Sequence, residues 1–180
     1  MKNLFFFIIF LGITFLQVSC KEENHKKKIQ LYEGPLSELD GINMTYSDSA
    51  RLIVRMVTEK QLTMPNDDRV YPKEVKIFFY DRLGNETTNL RGDSARYFRS
   101  SNLYKVYRHV VINNTLKGET LKTDELIWNP DQKRVYTDKP VDVYTREEVL
   151  HGIGMDANQD FTQYTLRRVT GVVSVKNLPQ

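Results

Sequence analysis

The side chains of this sequence that could do chemistry are three histidines, one cysteine and a few acidic pairs, and their spacing limits what that chemistry can be. His25, His109 and His151 lie far apart, with no pair at the short spacing that brings two imidazoles to one metal ion. Cys20 is alone, which rules out an intramolecular disulfide and a zinc site built on two thiolates. Asp124-Glu125, Glu147-Glu148 and Asp156 fall in strand or turn stretches, where paired carboxylates are ordinarily solvated charge. There is no glycine-rich phosphate loop and no nucleophile elbow. These residues therefore predict no catalysis, no metal and no cofactor.

The chemistry that Cys20 does support is acylation. Met1-Lys2-Asn3 makes a short basic start, and Leu4 to Leu16 is an apolar run of about 13 residues. That is short for a bilayer span and has the length of a signal-peptide core. Gln17-Val18-Ser19 then leads into Cys20, and a small residue directly before a lone Cys resembles the bacterial lipobox. Gln17 stands where that motif usually carries an aliphatic residue, so an ordinary secretory signal or uncleaved anchor with an incidental Cys is the competing reading. On the lipobox reading, residues 1–19 are a lipoprotein signal peptide and Cys20 is the lipid attachment site. Residues 20–31 are then the lipidated Cys and a polar tether, too poor in apolar surface to order themselves. Several acyl chains at one site, at ~0.8 kcal/mol per buried CH₂, exceed the grip of a single myristoyl chain.

The elements beyond the tether read as strands. Arg51–Val57 alternates, with Leu52, Val54 and Met56 on one face, and Val75–Tyr80 does the same with Val75, Ile77 and Phe79. Thr145–Leu150 competes for a helix, but Gly152 and Gly154 would break it within two turns, so a short turn feeding a strand is expected. A pattern also repeats about every thirty residues. It opens on Leu90, Leu121 and Leu150, carries a small residue two places on (Gly92, Thr123, Gly152), and an apolar or small one five places on (Ala95, Leu126, Met155). Each unit closes on two aliphatics, Val110/Ile112, Val141/Val143 and Val173/Val175. Ten Tyr and nine Phe suit a β-rich domain, and 26 basic residues mixed with 23 acidic ones give no concentrated basic face for nucleic acid. The fold expected is all-β over residues 32–180. Its inward apolar residues form either a dry packed core or a groove for something greasy.

With the repeats in view, residues from about 35 to 176 resemble the periplasmic domain of the LptC family of lipopolysaccharide-export proteins. The segments that carry the likeness are Leu90–Ala95, Leu121–Trp128, Val135–Val141 and Leu150–Met155. The resemblance implies an antiparallel β-jellyroll of two sheets, splayed enough for lipid A acyl chains to lie between them. The cavity residues would come from Leu52, Val54, Met56, Val75, Ile77, Phe79, Leu126, Val141, Val143, Val173 and Val175. It also implies partners: lipopolysaccharide, the subunits of an inner-membrane ABC transporter that delivers it, and an LptA-like periplasmic bridge that receives it. Gly152 matches a glycine linked in the family to engagement of those partners, while a strand glycine by itself marks a bulge. The expected partner edge is the C-terminal repeat, with Gly152, Gly154 and Gly171. Tyr97 and Trp128 occupy equivalent places in their repeats, as rim residues or as plain strand aromatics. Family members commonly hold the inner membrane with a helix, whereas here the lipobox-like Cys20 stands in that place. Lys21-Glu22-Glu23 resembles a signal that sends some lipoproteins outward, which leaves an outer-membrane or surface β-roll lipoprotein of structural role as the alternative.

Overall fold

The computed structural model describes Tyr32 and residues 34–174, and within them every regular element is a β-strand. The eleven strands are β1 (Ser37–Asp48), β2 (Arg51–Thr63), β3 (Arg69–Tyr71), β4 (Val75–Tyr80), β5 (Glu86–Gly92), β6 (Ser94–Phe98), β7 (Leu103–Asn114), β8 (Glu119–Asn129), β9 (Arg134–Tyr144), β10 (Glu148–Asn158) and β11 (Tyr164–Ser174). All pairings are antiparallel and belong to one sheet. Its order is simpler than eleven strands suggest. The N-terminal half of β2 pairs with β4 and its C-terminal end with β3, in nearly one continuous register. β7 treats β6 and β5 the same way. Thus β3 and β4 are one line interrupted at Pro72-Lys73-Glu74, β5 and β6 one line interrupted at Asp93, and the sheet is an up-and-down meander.

Those interruptions line up. Following the register from strand to strand, Gly41 of β1 lies opposite Glu59, Glu59 opposite Glu74, and Glu74 beside the break at Asp93. The line continues through a bulge at Arg108-His109 in β7, register shifts between Thr123 and Ile127 and between Ile153 and Met155, and Gly154 in β10. Gly41, Arg108, His109 and Gly154 all have positive φ there (67°, 58°, 44° and 76°). Bulges bend a strand and increase its twist. A row of them across the sheet folds it over, so each long strand contributes half to one layer and half to the other. The expected two-sheeted jellyroll is made in this way from one continuous sheet.

The fold explains the thirty-residue repeat. Each unit spans a pair of antiparallel strands, and its opening strand is β5–β6, β8 or β10. Leu90 and Leu121 are buried in the first layer, the small residue two places on sits at the bend, and Ala95, Leu126 and Met155 open the half-strand in the second layer. Gly92 shows why that place is small: a Cβ would overlap Val106 Cγ1 of the neighbouring strand. The segment Thr145–Glu148 is a turn into β10, as expected, with Thr145 Oγ1 accepting from the amides of Glu147 (3.2 Å) and Glu148 (3.0 Å).

Candidate functional site

The apolar residues of both layers meet in a single cluster. Val54, Met56, Val75, Ile77, Phe79, Val141 and Val143 face it from the first layer and Leu126 from the second, all buried. Val110, Ile112, Leu121 and Met155 join them. Leu52 does not. The register shift at Tyr46/Ser47 of β1 leaves Ile53 of β2 unpaired, which slips the alternation by one residue. Ile53 then packs on the core and Leu52 is only half-buried outside the cluster. Val173 is 37% exposed on β11, while Val175 and Cys20 lie outside the described residues.

Aromatic rings hold the two layers together. Trp128 of β8 stacks on Tyr104 of β7 at 4.9 Å between centroids, and meets Tyr46 of β1 edge-on at 5.5 Å and Phe79 at 6.3 Å. Phe79 in turn meets Phe161, from the β10–β11 turn, at 5.4 Å. Edge-to-face pairs at these distances contribute beyond their buried area. Trp128 Nε1 donates to Gln159 Oε1 at 3.4 Å, and Tyr97 Oη donates to Asn102 Oδ1 at 3.1 Å. Tyr97 and Trp128 therefore have an apolar body inside and a polar tip at the boundary. Burial pushes the Tyr104 phenol up to about 12, and burial likewise raises Tyr71, so both stay neutral at ordinary pH.

The space these rings enclose is small. Between Met44, Tyr46, Met56, Ile77, Tyr104 and Trp128 the free volume is about 10 Å³, near the least that holds one water molecule, and its lining is apolar. An acyl chain does not fit in this space while the rings are in contact. Tyr46 stands at the margin of this space, 37% exposed, on the edge strand β1. Met44, Tyr46, Tyr104 and Phe161 were not among the residues singled out from the sequence. Met44 and Tyr46 carried a period-two signal that could have found them.

Among the described residues the sheet has two open edges, β1 and β11. β10 is paired on both sides, so Gly152 and Gly154 lie inside the sheet and Gly171 alone of the three glycines is on an edge strand. Gly152 sits at a register shift with β11, and Gly154 lies under the Arg167 guanidinium. Arg167 fastens the bend there, donating to the Thr137 carbonyl at 2.5 Å and pairing with Asp138 at 2.7 Å and Asp156 at 3.0 Å. On the outer face His109 pairs with Asp93 at 2.7 Å and His151 with Asp142 at 2.6 Å. Hydrogen bonding to His109 holds the Asp93 carboxyl below its usual range. Among the described residues no three His, Cys, Asp or Glu side chains come together as a metal site, and no helix is long and apolar enough to cross a membrane.

A meandering sheet folded along a bend, with an apolar interior and two open edges, defines a β-jellyroll. The family model described as lipopolysaccharide-assembly, LptC-related matches residues 4–173, and the chain belongs to that family. The LptC family is a component of lipopolysaccharide transport rather than an enzyme family, and its members are periplasmic and membrane-associated. No curated protein matches the chain. A crystal structure of a protein of unknown function from Bacteroides fragilis NCTC 9343 shares 11% identity, covering 72% of this chain and 89% of its own. Its TM-score of 0.21 is too low to bear on the fold.

Proposed function

We propose that this protein is a lipid-tethered periplasmic relay in lipopolysaccharide export. It takes lipopolysaccharide from an inner-membrane ABC transporter and passes it to an LptA-like bridge, without catalysis. Cys20 would hold it to a membrane through acyl chains, with the inner membrane favoured. The observation that carries the reading is the interior itself: two facing layers with a shared apolar cluster, where the Tyr46–Trp128 ring contact closes one margin. The acyl chains enter between the layers while sugars and phosphates stay in water. Burial at ~25 cal/mol per Å² makes the lipid easy to hold and slow to leave, so flow requires neighbours of similar affinity and an energy source elsewhere. The open edges supply the docking points, because an unpaired strand accepts another chain's strand through main-chain hydrogen bonds. β11, with Val169 and Val172 55% and 56% exposed, is the outgoing edge in this scheme.

Photo-crosslinking in cells tests the proposal, with a photoreactive residue replacing Ile77, Phe79 or Val143. Arg55, whose guanidinium lies 4.5 Å from the Phe78 ring, serves as the outward control. Lipopolysaccharide adducts at the inward positions and none at Arg55 are expected. The small free volume of about 10 Å³ favours a second reading, a surface β-roll lipoprotein with a dry core and a structural role. Absence of adducts in abundant, folded protein would select it.

A further inference from the structure

We propose that a cleft at the free end of the two layers binds a phosphate group on the headgroup of an acylated amphiphile, through Arg51 and Arg82. The inference rests on the lipid-relay reading above and names the chemistry that would hold the lipid's polar end.

The cleft, about 250 Å³, is built where strand ends from both layers meet, opposite the bend. Arg51 and Ile53 come from the start of β2, Tyr80 and Arg82 from the end of β4, and Lys133 from the β8–β9 turn. Two ties fix these walls across the layers. Lys133 Nζ pairs with Asp48 at 3.1 Å, and the Asp160 carbonyl accepts from Thr87 and Thr88 at 3.3 and 3.2 Å. The floor contains Ile53, which packs directly on the interlayer core, so a molecule resting here is continuous with the apolar interior.

The cations decide the ligand. Three carboxylates also line the cleft and match Arg51, Arg82 and Lys133 in number, so the cleft carries no net charge; what sets the cations apart is that each carboxylate already accepts hydrogen bonds from the protein. Asp48 takes those of Lys133 and Ser49. Asp81 takes the amides of Leu83 at 2.8 Å and Asn85 at 2.9 Å, and Asp160 takes the amide and hydroxyl of Thr162 at 3.2 and 2.8 Å. Arg51 and Arg82 make no hydrogen bond and no ion pair among the described residues, and both are exposed, although Arg51 lies across from Asp48 in the β1–β2 register and its charge helps hold that carboxyl below its usual range. Each guanidinium presents five N–H donors in a planar fork that matches the oxygens of a phosphate. Two forks whose N–H donors make no hydrogen bond, beside an apolar floor, suit an anionic head whose acyl chains leave through that floor. A neutral sugar gains little from them, and a free carboxylate offers fewer acceptor oxygens than a phosphate.

The test uses the full-length lipidated chain with the photoreactive residue at Ile77, given either lipopolysaccharide or the same lipopolysaccharide stripped of phosphate by a phosphatase. With wild-type side chains in the cleft, the phosphorylated lipid is expected to give about tenfold more adduct at low salt, a preference that shrinks as salt screens it. In R51Q/R82Q the two lipids should crosslink equally, and the thermal midpoint should move little, because neither side chain has a hydrogen bond or ion pair to lose and Arg51 gives up only a solvent-screened attraction to Asp48. Lys73→Gln, an exposed cation at the bend, should keep the preference. Equal adducts from both lipids in the wild-type cleft, or an undiminished preference in R51Q/R82Q, would overturn the phosphate site while leaving the lipid slot intact. No adduct from either lipid in the wild-type cleft would remove the slot and this site together.

Discussion

Asp68 shows how single side chains in this fold bind turns that are distant in sequence. Its side chain is 6% exposed, with Oδ1 accepting from the Arg99 amide at 2.9 Å and Oδ2 from Arg96 Nη2 at 2.8 Å. The β2–β3 turn is thereby fastened to the β6–β7 turn. Burial alone would raise this carboxyl, but the Arg99 amide and the Arg96 guanidinium outweigh it and hold the group below its usual range. A carboxyl depressed in the folded state stabilises above its unfolded value, near 3.9, and that stability is lost as pH falls through the lower folded value. Asp68→Asn should therefore cost about 1–3 kcal/mol at pH 7, with the gap to wild type closing below the carboxylate range. Urea midpoints at pH 7 and pH 3 measure it, and a deficit of equal size at both would show that the charge is not what matters. Residues at this scale were only partly legible in the sequence. Trp128 and Tyr97 stood out because they recur seven places into their repeats. Asp68, Tyr46 and Phe161 did not, because their partners come from strands or turns outside any one repeat.

At the scale of elements, the bend is what a sequence read in strands leaves out. Strand periodicity located β2, β4 and the repeat-opening strands well, and the small residue of each repeat marked the bend at Gly92, Thr123 and Gly152. Elsewhere the bend is carried by residues with no such signature. Arg108 and His109 adopt φ of 58° and 44°; arginine does not advertise that conformation, and histidine, though enriched in it, adopts it too seldom to mark a bend by itself. The same kind of irregularity misplaced Leu52: strict alternation points it inward, and the bulge opposite Tyr46/Ser47 hands its place to Ile53. Gly92 offers the direct test of the bend. A Cβ there overlaps Val106 Cγ1, so Gly92→Ala should destabilise by about 1–3 kcal/mol through overpacking. Adding Val106→Ala removes the overlapped methyl groups and should recover part of that loss, a coupling read from chemical denaturation of both singles and the double. Purely additive costs would mean that the clash is not what keeps position 92 small.

At the scale of the whole molecule, the proposed relay needs layers that both exclude water and admit a lipid, and the present arrangement does only the first. The space bounded by the rings of Tyr46, Trp128 and Tyr104 is about 10 Å³, so for the proposed cargo an acyl chain enters there only when the margin at β1 parts. Edge strands part most readily, and the β1 backbone pairs with β2 alone among the described residues, with Lys133–Asp48 and the Tyr46 ring as its side-chain ties to the facing layer. Tyr46 is the side chain whose removal separates opening from unfolding. It is 37% exposed and bridges the layers through one edge-on contact, so Tyr46→Ala should cost only ~1–2 kcal/mol while widening the space behind it. An apolar fluorophore such as N-phenylnaphthylamine should enter the variant severalfold faster than wild type, at temperatures where circular dichroism shows both fully folded. Equal rates would place the opening elsewhere along the layers. No uptake by either protein would mean that the two layers stay closed on a dry core, and that the apolar interior serves only to hold the sheet folded upon itself.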